Sequence, residues 1–189
     1  MRRPTGPPVD LTDGVVRLRP WTGADLDCVR QAATDPRIRV GTTVPAVVTE
    51  EAGRAFIRRQ QQRAEAGEGW SSAIADAATD RALGLLWLGV RPRLATLGLG
   101  YWVVPGARRR GWARRAVLLA TGWALEEGGI ARVEAWVEPD NAPSQQLLRT
   151  CGFVREGLVR SCVPLGGRRA DVVVFSRTTG TAFPRSEDR

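Results

Sequence analysis

Apolar and polar positions recur along the chain with two periods, and each period predicts one type of element. Strands are predicted where apolar residues alternate or run together, at residues 15–18, 70–77, 83–90, 97–104, 131–137, 153–163 and 170–176. Helices are predicted where apolar residues recur at offsets of three and four, at residues 22–32, 49–66, 111–127 and 143–150. The order is β-α-α-β-β-β-α-β-α-β-β, with antiparallel hairpins on either side of one β-α-β crossover. We therefore expect an α/β (α+β) fold with a mixed sheet.

The segments between these elements do not divide the chain. All 189 residues fit one domain with a sizeable core. There is no internal repeat and no linker long enough to separate two domains. The two ends, residues 1–12 and 179–189, are predicted to be flexible tails. Residues 36–48, which contain Gly41 and Pro45, are predicted to be irregular.

Composition narrows the chemistry that the chain can perform. The formal net charge is +8 and all 28 basic residues are arginine, so the chain has neither lysine nor histidine. The absence of histidine excludes Ser-His-Asp and Cys-His catalysis and any histidine base. Three scattered cysteines without histidine give a zinc site almost no ligands, so we expect no metal and reduced thiols in a cytoplasmic protein. No apolar run approaches the ~20 residues of a membrane span, and no secretory signal is recognisable.

A cluster of arginines surrounds the predicted start of the helix at residues 111–127. After the apolar strand that ends at Val104, the chain reads P-G-A-R-R-R-G-W-A-R-R. A helix N-terminus carries partial positive charge and exposed N–H donors, so it favours acidic neighbours over basic ones. Cations at this end make sense when an anion completes the site, and the segment is therefore predicted to form a phosphate-binding loop. An exposed, solvated basic turn is the alternative.

Two motifs resemble those of the GNAT acyltransferase superfamily. The pattern R-x-x-G-x-A at residues 108–113 is similar to the R/Q-x-x-G-x-G/A loop that holds the pyrophosphate of coenzyme A in that family. One β-α-β unit later, N-x-x-S at residues 141–144, followed by G-F at 152–153, is similar to its second motif. The strand with G-Y-W-V at residues 100–103 resembles the ribosomal-protein N-terminal acetyltransferase-like (Rim-type) branch. The resemblance covers residues 12–178.

This resemblance implies a fold, a co-substrate and a set of binding residues. The GNAT fold has a mixed central sheet, here of about six to seven strands with a splay between the fourth and fifth, flanked by about four helices. The co-substrate is acetyl-CoA or coenzyme A, without a metal. The residues implied to bind it are Trp102, Val103, Val104, Arg108, Arg109, Arg110, Gly111, Trp112, Ala113, Arg114, Asn141 and Ser144. Ser144 is also implied to lie near the thioester sulfur, where a hydroxyl can hydrogen-bond or protonate the departing thiolate. A plain N-cap of the short helix is the structural alternative for Asn141 or Ser144.

The implied reaction is direct transfer of the acyl group from acyl-CoA to a primary amine of a peptide, amino acid or small molecule. Free backbone N–H groups at Val103 or Trp102 are expected to stabilise the oxyanion. Many relatives have a glutamate base on the central strand at the place that Gly98 occupies here. The alternatives are Glu134 on the next strand, an acid from residues 36–48, or a relay of water molecules. Glu134 is equally well explained as a strand carboxylate paired with an arginine.

Other readings stay open. Trp87, Trp102 and Trp136 form either an aromatic acceptor pocket or part of the core. A non-catalytic acyl-CoA-binding sensor remains an alternative because Gly98 replaces the usual base. A nucleic-acid-binding module would need aromatic residues exposed beside arginines, and the dense basic cluster is confined to one loop, so no specific nucleic acid is expected. Pairing of two copies into a homodimer through an exposed strand edge is left open, as is the identity of the amine.

Overall fold

The computed structural model describes residues 10–91 and 96–180 of the chain. Its strands are Leu11–Thr12 (β1), Val16–Arg19 (β2), Gly69–Asp76 (β3), Ala82–Arg91 (β4), Thr96–Val103 (β5), Arg132–Val137 (β6), Val154–Leu165 (β7) and Arg168–Thr178 (β8). Its α-helices are Leu26–Ala33 (α1), Pro36–Gly41 (α2), Glu50–Gln62 (α3), Trp112–Gly122 (α4) and Ala142–Thr150 (α5). A π-helical turn, Trp123–Glu127, continues α4. The strands form one sheet in the order β1-β2-β3-β4-β5-β6-β8-β7.

The predicted mixed α/β architecture is confirmed. Every neighbouring pair of strands is antiparallel except β5 and β6, which are joined by the crossover through α4. The described residues form eight strands rather than six or seven, and five α-helices rather than four. Two short elements, β1 and α2, account for the differences.

Strand β1 lies inside the segment that was predicted to be a flexible tail. Leu11 is in register with Leu18, and Thr12 is in register with Arg17. The Thr12 hydroxyl also donates to the carbonyl of Val16 at 2.9 Å, which closes the turn between the two strands. The prediction was therefore wrong for the end of that tail, while residues 1–9 and 181–189 lie outside the described residues.

Helix α2 occupies the first part of the segment that was predicted to be irregular. The side chain of Asp35 caps it by accepting a hydrogen bond from the backbone N–H of Arg37 at 2.8 Å. Pro36 stands in its first turn, where the missing N–H costs nothing. Ile38 faces inwards and is 5% exposed. An aspartate cap followed by proline is a helix start signal, and here it begins a helix of six residues.

Apolar side chains pack on both faces of the sheet. Side chains alternate along a strand, so Trp102 and Gly100 lie on one face of β5 and Tyr101 lies on the other. On the first face, Trp102 lies 6.2 Å from the ring centroid of Trp21, which packs edge-on against Phe56 of α3 at 5.6 Å. Helix α4 packs on the opposite face. The sheet is therefore covered by α1 and α3 on one side and by α4 on the other.

Strands β5 and β6 pair over only three residues before they separate. The parallel register joins 97–99 to 133–135, although β5 continues to Val103 and β6 to Val137. Beyond this point each strand keeps its other partner, since Val103 stays in register with β4 and Val137 with β8. The sheet therefore opens between these two strands, and the predicted splay is observed.

No helix within residues 10–91 and 96–180 is long and apolar enough to cross a membrane. No group of three or more His, Cys, Asp or Glu side chains there is arranged to hold a metal ion. Cys28, Cys151 and Cys162 are free thiols.

Candidate functional site

The loop between β5 and α4 leaves a row of backbone donors without partners. After a 3-10 turn at Pro105–Ala107, Arg109 has φ 63° and Gly111 has φ 84°, and Gly111 is the N-cap of α4. The first helical hydrogen bond runs from the N–H of Arg115 to the carbonyl of Gly111 at 3.0 Å. The N–H groups of residues 112–114 have no acceptor among the described residues, and no acidic residue lies in this turn. We call residues 108–114 the arginine loop.

Two of the five arginines near this loop are tied to acidic residues elsewhere. Arg108 donates from Nε to the carbonyl of Val103 at 3.0 Å and forms an ion pair with Asp35, the cap of α2. Arg115 forms an ion pair with Asp13 at 2.7 Å. Sequence reasoning grouped Arg108 with the side chains that bind the co-substrate, whereas its guanidinium fastens the loop to the start of α2.

Three arginines of the loop keep their charge uncompensated. Arg109, Arg110 and Arg114 are exposed and make no ion pair with any residue in the described part of the chain. Their charges surround a helix end that already carries partial positive charge. Free N–H donors and unpaired guanidinium groups at one place suit an anion with several charged oxygens, such as a diphosphate.

Helix α5, which begins at the second motif, lies beside both the arginine loop and the end of β5. Asn141 is the N-cap of α5, and its side-chain oxygen accepts from the N–H of Ser144 at 3.2 Å. The capping alternative therefore applies to Asn141 and leaves the Ser144 hydroxyl available. At the other end of α5, the thiol of Cys151 lies 3.8 Å from the carbonyl of Arg114. Helix α5 thus joins the arginine loop to the open end of β5.

Tyr101 is a residue at this opening that sequence reasoning did not single out. Its hydroxyl lies 2.7 Å from the hydroxyl of Ser144, and either group can donate. Burial raises the pKa of Tyr101 to about 12, although the hydrogen bond with Ser144 acts in the opposite direction. The phenol therefore carries its proton at neutral pH. Its place in the G-Y-W motif was the available signal, but spacing alone does not show a contact with α5.

The backbone of β5 also presents donors to the opening. The N–H of Val104 donates to the carbonyl of Leu83 on β4 at 2.9 Å. Successive N–H groups of a strand point to opposite sides, so those of Val103 and Tyr101 point away from β4 and towards the opening. Of the two expected oxyanion donors, Val103 and not Trp102 has this orientation.

Glu134, the weakly favoured base, is surrounded by donors. It lies on β6 in register with Gly98 and is 8% exposed. One carboxylate oxygen accepts from Arg132 at 2.9 Å, and the other accepts from the indole N–H of Trp136. The guanidinium of Arg91 lies 3.5 Å from the second oxygen. Both oxygens are thus engaged, as expected for a carboxylate that organises its neighbours.

A cleft of about 270 Å³ lies over β4 and β5 beside the start of the splay. We call it the β4–β5 cleft. Its lining residues are Glu68, Trp87, Gly89, Val90, Arg91, Gly98, Leu99 and Gly100. A Cβ atom at Gly98 would come within 2.8 Å of the Arg91 Nε, so Arg91 occupies the space that a side chain at position 98 would need.

The expected base from residues 36–48 and the expected pocket of three tryptophans both need correction. The segment 36–48 contains no aspartate or glutamate, so it cannot supply a base. The acid that lines the cleft is instead Glu68, whose side chain is 57% exposed and lies 3.7 Å from Arg63. Of the three strand tryptophans, Trp102 is a core residue, whereas Trp87 lines the cleft and Trp136 is 38% exposed.

The chain is similar to known proteins both in sequence and in fold. A family model for the acetyltransferase (GNAT) domain matches residues 16–154. The "Probable N-acetyltransferase YjcK" of Bacillus subtilis is 33% identical over 121 residues, which are 63% of this chain and 67% of that protein. The "Uncharacterized N-acetyltransferase p20" of Bacillus licheniformis is 26% identical over 160 residues, 84% of this chain and 90% of that protein.

Solved structures share the fold over nearly the whole chain. RimJ of Mycobacterium smegmatis, in complex with CoA-disulfide, superposes with a TM-score of 0.76 at 23% identity, covering 95% of this chain and 89% of that one. A GNAT-family acetyltransferase of Bacillus anthracis gives a TM-score of 0.75 at 19% identity, covering 89% and 98%. At these identities the likeness establishes a common fold.

Proposed function

We propose, because the chain belongs to the GNAT family of N-acetyltransferases, that it transfers the acetyl group of acetyl-CoA directly to a primary amine of a peptide, amino acid or small molecule. The match of the family model to residues 16–154 confirms the predicted membership of the GNAT superfamily. The observation that carries the proposal is the arginine loop, with free N–H donors and three unpaired arginines beside an opened pair of strands. We assign the binding of acetyl-CoA and of the amine to the single domain that these elements form. We place the protein in the reducing cytoplasm, which suits its free thiols.

The arginine loop fits the diphosphate of coenzyme A. The N–H groups of residues 112–114 supply hydrogen bonds at the positive end of α4. Arg109, Arg110 and Arg114 supply charge, while Arg108 holds the loop in place through Asp35. Trp102, Val103 and Val104 form the strand end along which the pantetheine arm runs. Asn141 contributes by fixing the first turn of α5 beside that arm.

The residues at the opening fit acyl transfer. Bound acetyl-CoA supplies an activated acyl group and a thiolate leaving group. The N–H of Val103 is directed to where a negative charge develops on the carbonyl oxygen. The hydroxyl of Ser144, which lies 2.7 Å from that of Tyr101, is assigned to donate a hydrogen bond to the departing thiolate, and the thiolate then takes its proton from water. A simple thiol has a pKa near ~8.5, so this hydrogen bond aids the reaction moderately.

The amine loses its proton without a conventional base. Both oxygens of Glu134 accept hydrogen bonds, one from Arg132 and the other from Trp136, so we assign Glu134 to positioning these side chains. The proton leaves through water in the β4–β5 cleft, towards the exposed carboxylate of Glu68. Replacing Glu68 with glutamine should lower kcat at pH 7 more than at pH 9, where more of the amine is already neutral.

Calorimetry with acetyl-CoA tests the proposal. Wild type should bind acetyl-CoA, and Arg110→Gln should weaken binding ~10-fold because one charged hydrogen bond is lost. Arg54→Gln is the matched control, since Arg54 is an exposed arginine paired with Glu50 on α3. A parallel thiol-release assay over a panel of primary amines should show turnover.

Each outcome has a distinct meaning. Binding that depends on Arg110 together with turnover supports an acetyltransferase. Binding without turnover on any amine would favour the sensor alternative. Absence of binding, or equal losses in Arg110→Gln and Arg54→Gln, would contradict the assignment of the arginine loop.

A further inference from the structure

Arg91 crosses the floor of the β4–β5 cleft. It is the last residue of β4, in register with Thr96. Its side chain passes over Gly98, where a Cβ would approach the guanidinium to between 2.8 and 3.3 Å. The guanidinium lies above the ring of Trp136 at 4.0 Å from the centroid. The side chain thus reaches from β4 across β5 to β6, at the place where β5 and β6 begin to separate.

The guanidinium of Arg91 is confined by its neighbours. Its position over the Trp136 ring limits its movement, because a planar cation is attracted to the face of an indole ring. Trp136 is fixed in turn by its hydrogen bond to Glu134. The absence of a side chain at Gly98 leaves room for this arrangement. A group held in this way loses little further freedom when it binds a ligand.

The N–H donors of Arg91 remain available. Its closest carboxylate oxygen, on Glu134, is 3.5 Å away, which is an ion pair without a hydrogen bond. That carboxylate already accepts from Arg132 and Trp136. Arg91 donates no hydrogen bond to another residue within 10–91 or 96–180. An arginine whose face is stacked and whose edge is free offers a fork that matches a carboxylate.

We propose that Arg91 binds a carboxylate of the acceptor, so that the substrate is an amine carrying a carboxylate close to its nitrogen. This inference rests on the proposed acetyl transfer and names the class of its second substrate. The carboxylate docks on the edge of Arg91, while the amine points along the cleft past Gly100 to the opening of the strands. Beside the guanidinium, Gly100 leaves space for the backbone of an amino acid, since a Cβ at this position would meet only Trp87, at 3.7 Å. The source is either a free amino acid or a peptide with an acidic group near its N-terminus.

Binding of product analogues tests the proposal without turnover. The first probes are N-acetyl-glycine, N-acetyl-L-alanine and N-acetyl-L-aspartate, each compared with its amide. The second probes are the acetylated Ala-Asp and Asp-Ala dipeptides. Each probe is titrated calorimetrically into enzyme that is saturated with coenzyme A. At least one acid should bind ~10- to 100-fold more tightly than its amide, as expected for loss of a charged hydrogen bond. Arg91→Gln should erase that difference, and Arg54→Gln should retain it. If only the acetylated single amino acids bind in this way, the natural acceptor is a free amino acid. If an acetylated dipeptide binds more tightly, the natural acceptor is a peptide.

Turnover gives a second readout. Thiol release is measured as kcat/KM for amino acids and dipeptides against the corresponding amides. Arg91→Gln should reduce the acid-to-amide ratio ~10-fold or more while leaving the Kd of acetyl-CoA unchanged. Arg91→Lys should restore part of the ratio because it keeps the charge and loses the fork. Gly98→Ala should also lower the ratio, because its methyl group displaces the guanidinium.

The results separate this inference from the proposed function. If wild type binds acetyl-CoA and acts equally on acids and amides, the role of Arg91 is wrong and the acetyltransferase assignment stands. A loss in Arg91→Gln that is equal for acids and amides would show that Arg91 only supports the fold around Glu134, and would overturn the inference. Absence of acetyl-CoA binding would overturn both.

Discussion

Replacing Asp35 with alanine should detach the arginine loop from the start of α2. The substitution removes two contacts, since Asp35 caps α2 through the N–H of Arg37 and forms an ion pair with Arg108. An N-cap contributes ~1 kcal/mol. The ion pair joins a carboxylate that is 12% exposed to a guanidinium that is 45% exposed, and such a pair contributes ~0.5–1 kcal/mol. The free energy of unfolding should therefore fall by ~1.5–2 kcal/mol, measured by urea denaturation with tryptophan fluorescence.

Asp35→Asn separates the two contributions. Asparagine caps a helix as well as aspartate, so only the ion pair is lost, and the free energy of unfolding should fall by ~0.5–1 kcal/mol. A double-mutant cycle with Arg108→Gln should give a coupling energy of the same size. Arg108→Gln should change the Kd of acetyl-CoA much less than Arg110→Gln does. An Asp35→Asn cost equal to that of Asp35→Ala, or a coupling energy of zero, would refute this reasoning.

Three further outcomes follow from single contacts. Tyr101→Phe should lower kcat several-fold with little change in the Kd of acetyl-CoA, because the Ser144 hydroxyl loses a hydrogen bond of ~1 kcal/mol. An unchanged kcat would contradict the role of Tyr101. Gly122→Ala should raise the free energy of unfolding by ~0.5–1 kcal/mol in the same urea assay, since this position is helical and a Cβ there meets no other atom. Gly111→Ala should lower the free energy of unfolding by ~1 kcal/mol, because Gly111 has φ 84°, which disfavours a residue with a side chain. Hydrogen bonding to Arg132 lowers the pKa of Glu156 to about 2. The ionised carboxylate therefore stabilises the fold above the ordinary glutamate pKa, and this stabilisation should be lost as the pH falls towards 2. In acid-denaturation curves, Glu156→Gln should make that loss of stability smaller.

Local patterns were sufficient for most elements of the fold. The long strands and helices were predicted because their apolar periodicity extends over several turns or pleats. The short elements were not, since β1 is two residues long and exists by pairing Leu11 with Leu18. Helix α2 has six residues, and an aspartate followed by proline is also common where a helix ends, so Asp35 and Pro36 do not by themselves reveal a new helix.

The sequence was sufficient to predict a phosphate-binding loop at residues 108–114, but it did not show which contact each arginine makes. Arg108 and Arg110 look alike in the sequence, yet Arg108 is bound to an aspartate 73 residues away. Such pairs depend on how distant segments pack, and no spacing rule reveals them. The sequence does not single out Arg91 for a related reason. It follows a predicted strand and precedes a proline, whereas its proposed role depends on the missing side chain at Gly98 and on the ring of Trp136.

The position of acetyl-CoA on the protein is the central claim, and backbone amide shifts test it most directly. Uniformly ¹⁵N-labelled protein is titrated with acetyl-CoA and followed by two-dimensional NMR. The largest shifts should fall on the amides of residues 109–114 and on Val103, with smaller changes at Ser144 and little change along β7. Largest shifts on another part of the sheet, or none at these amides under saturating ligand, would contradict the account.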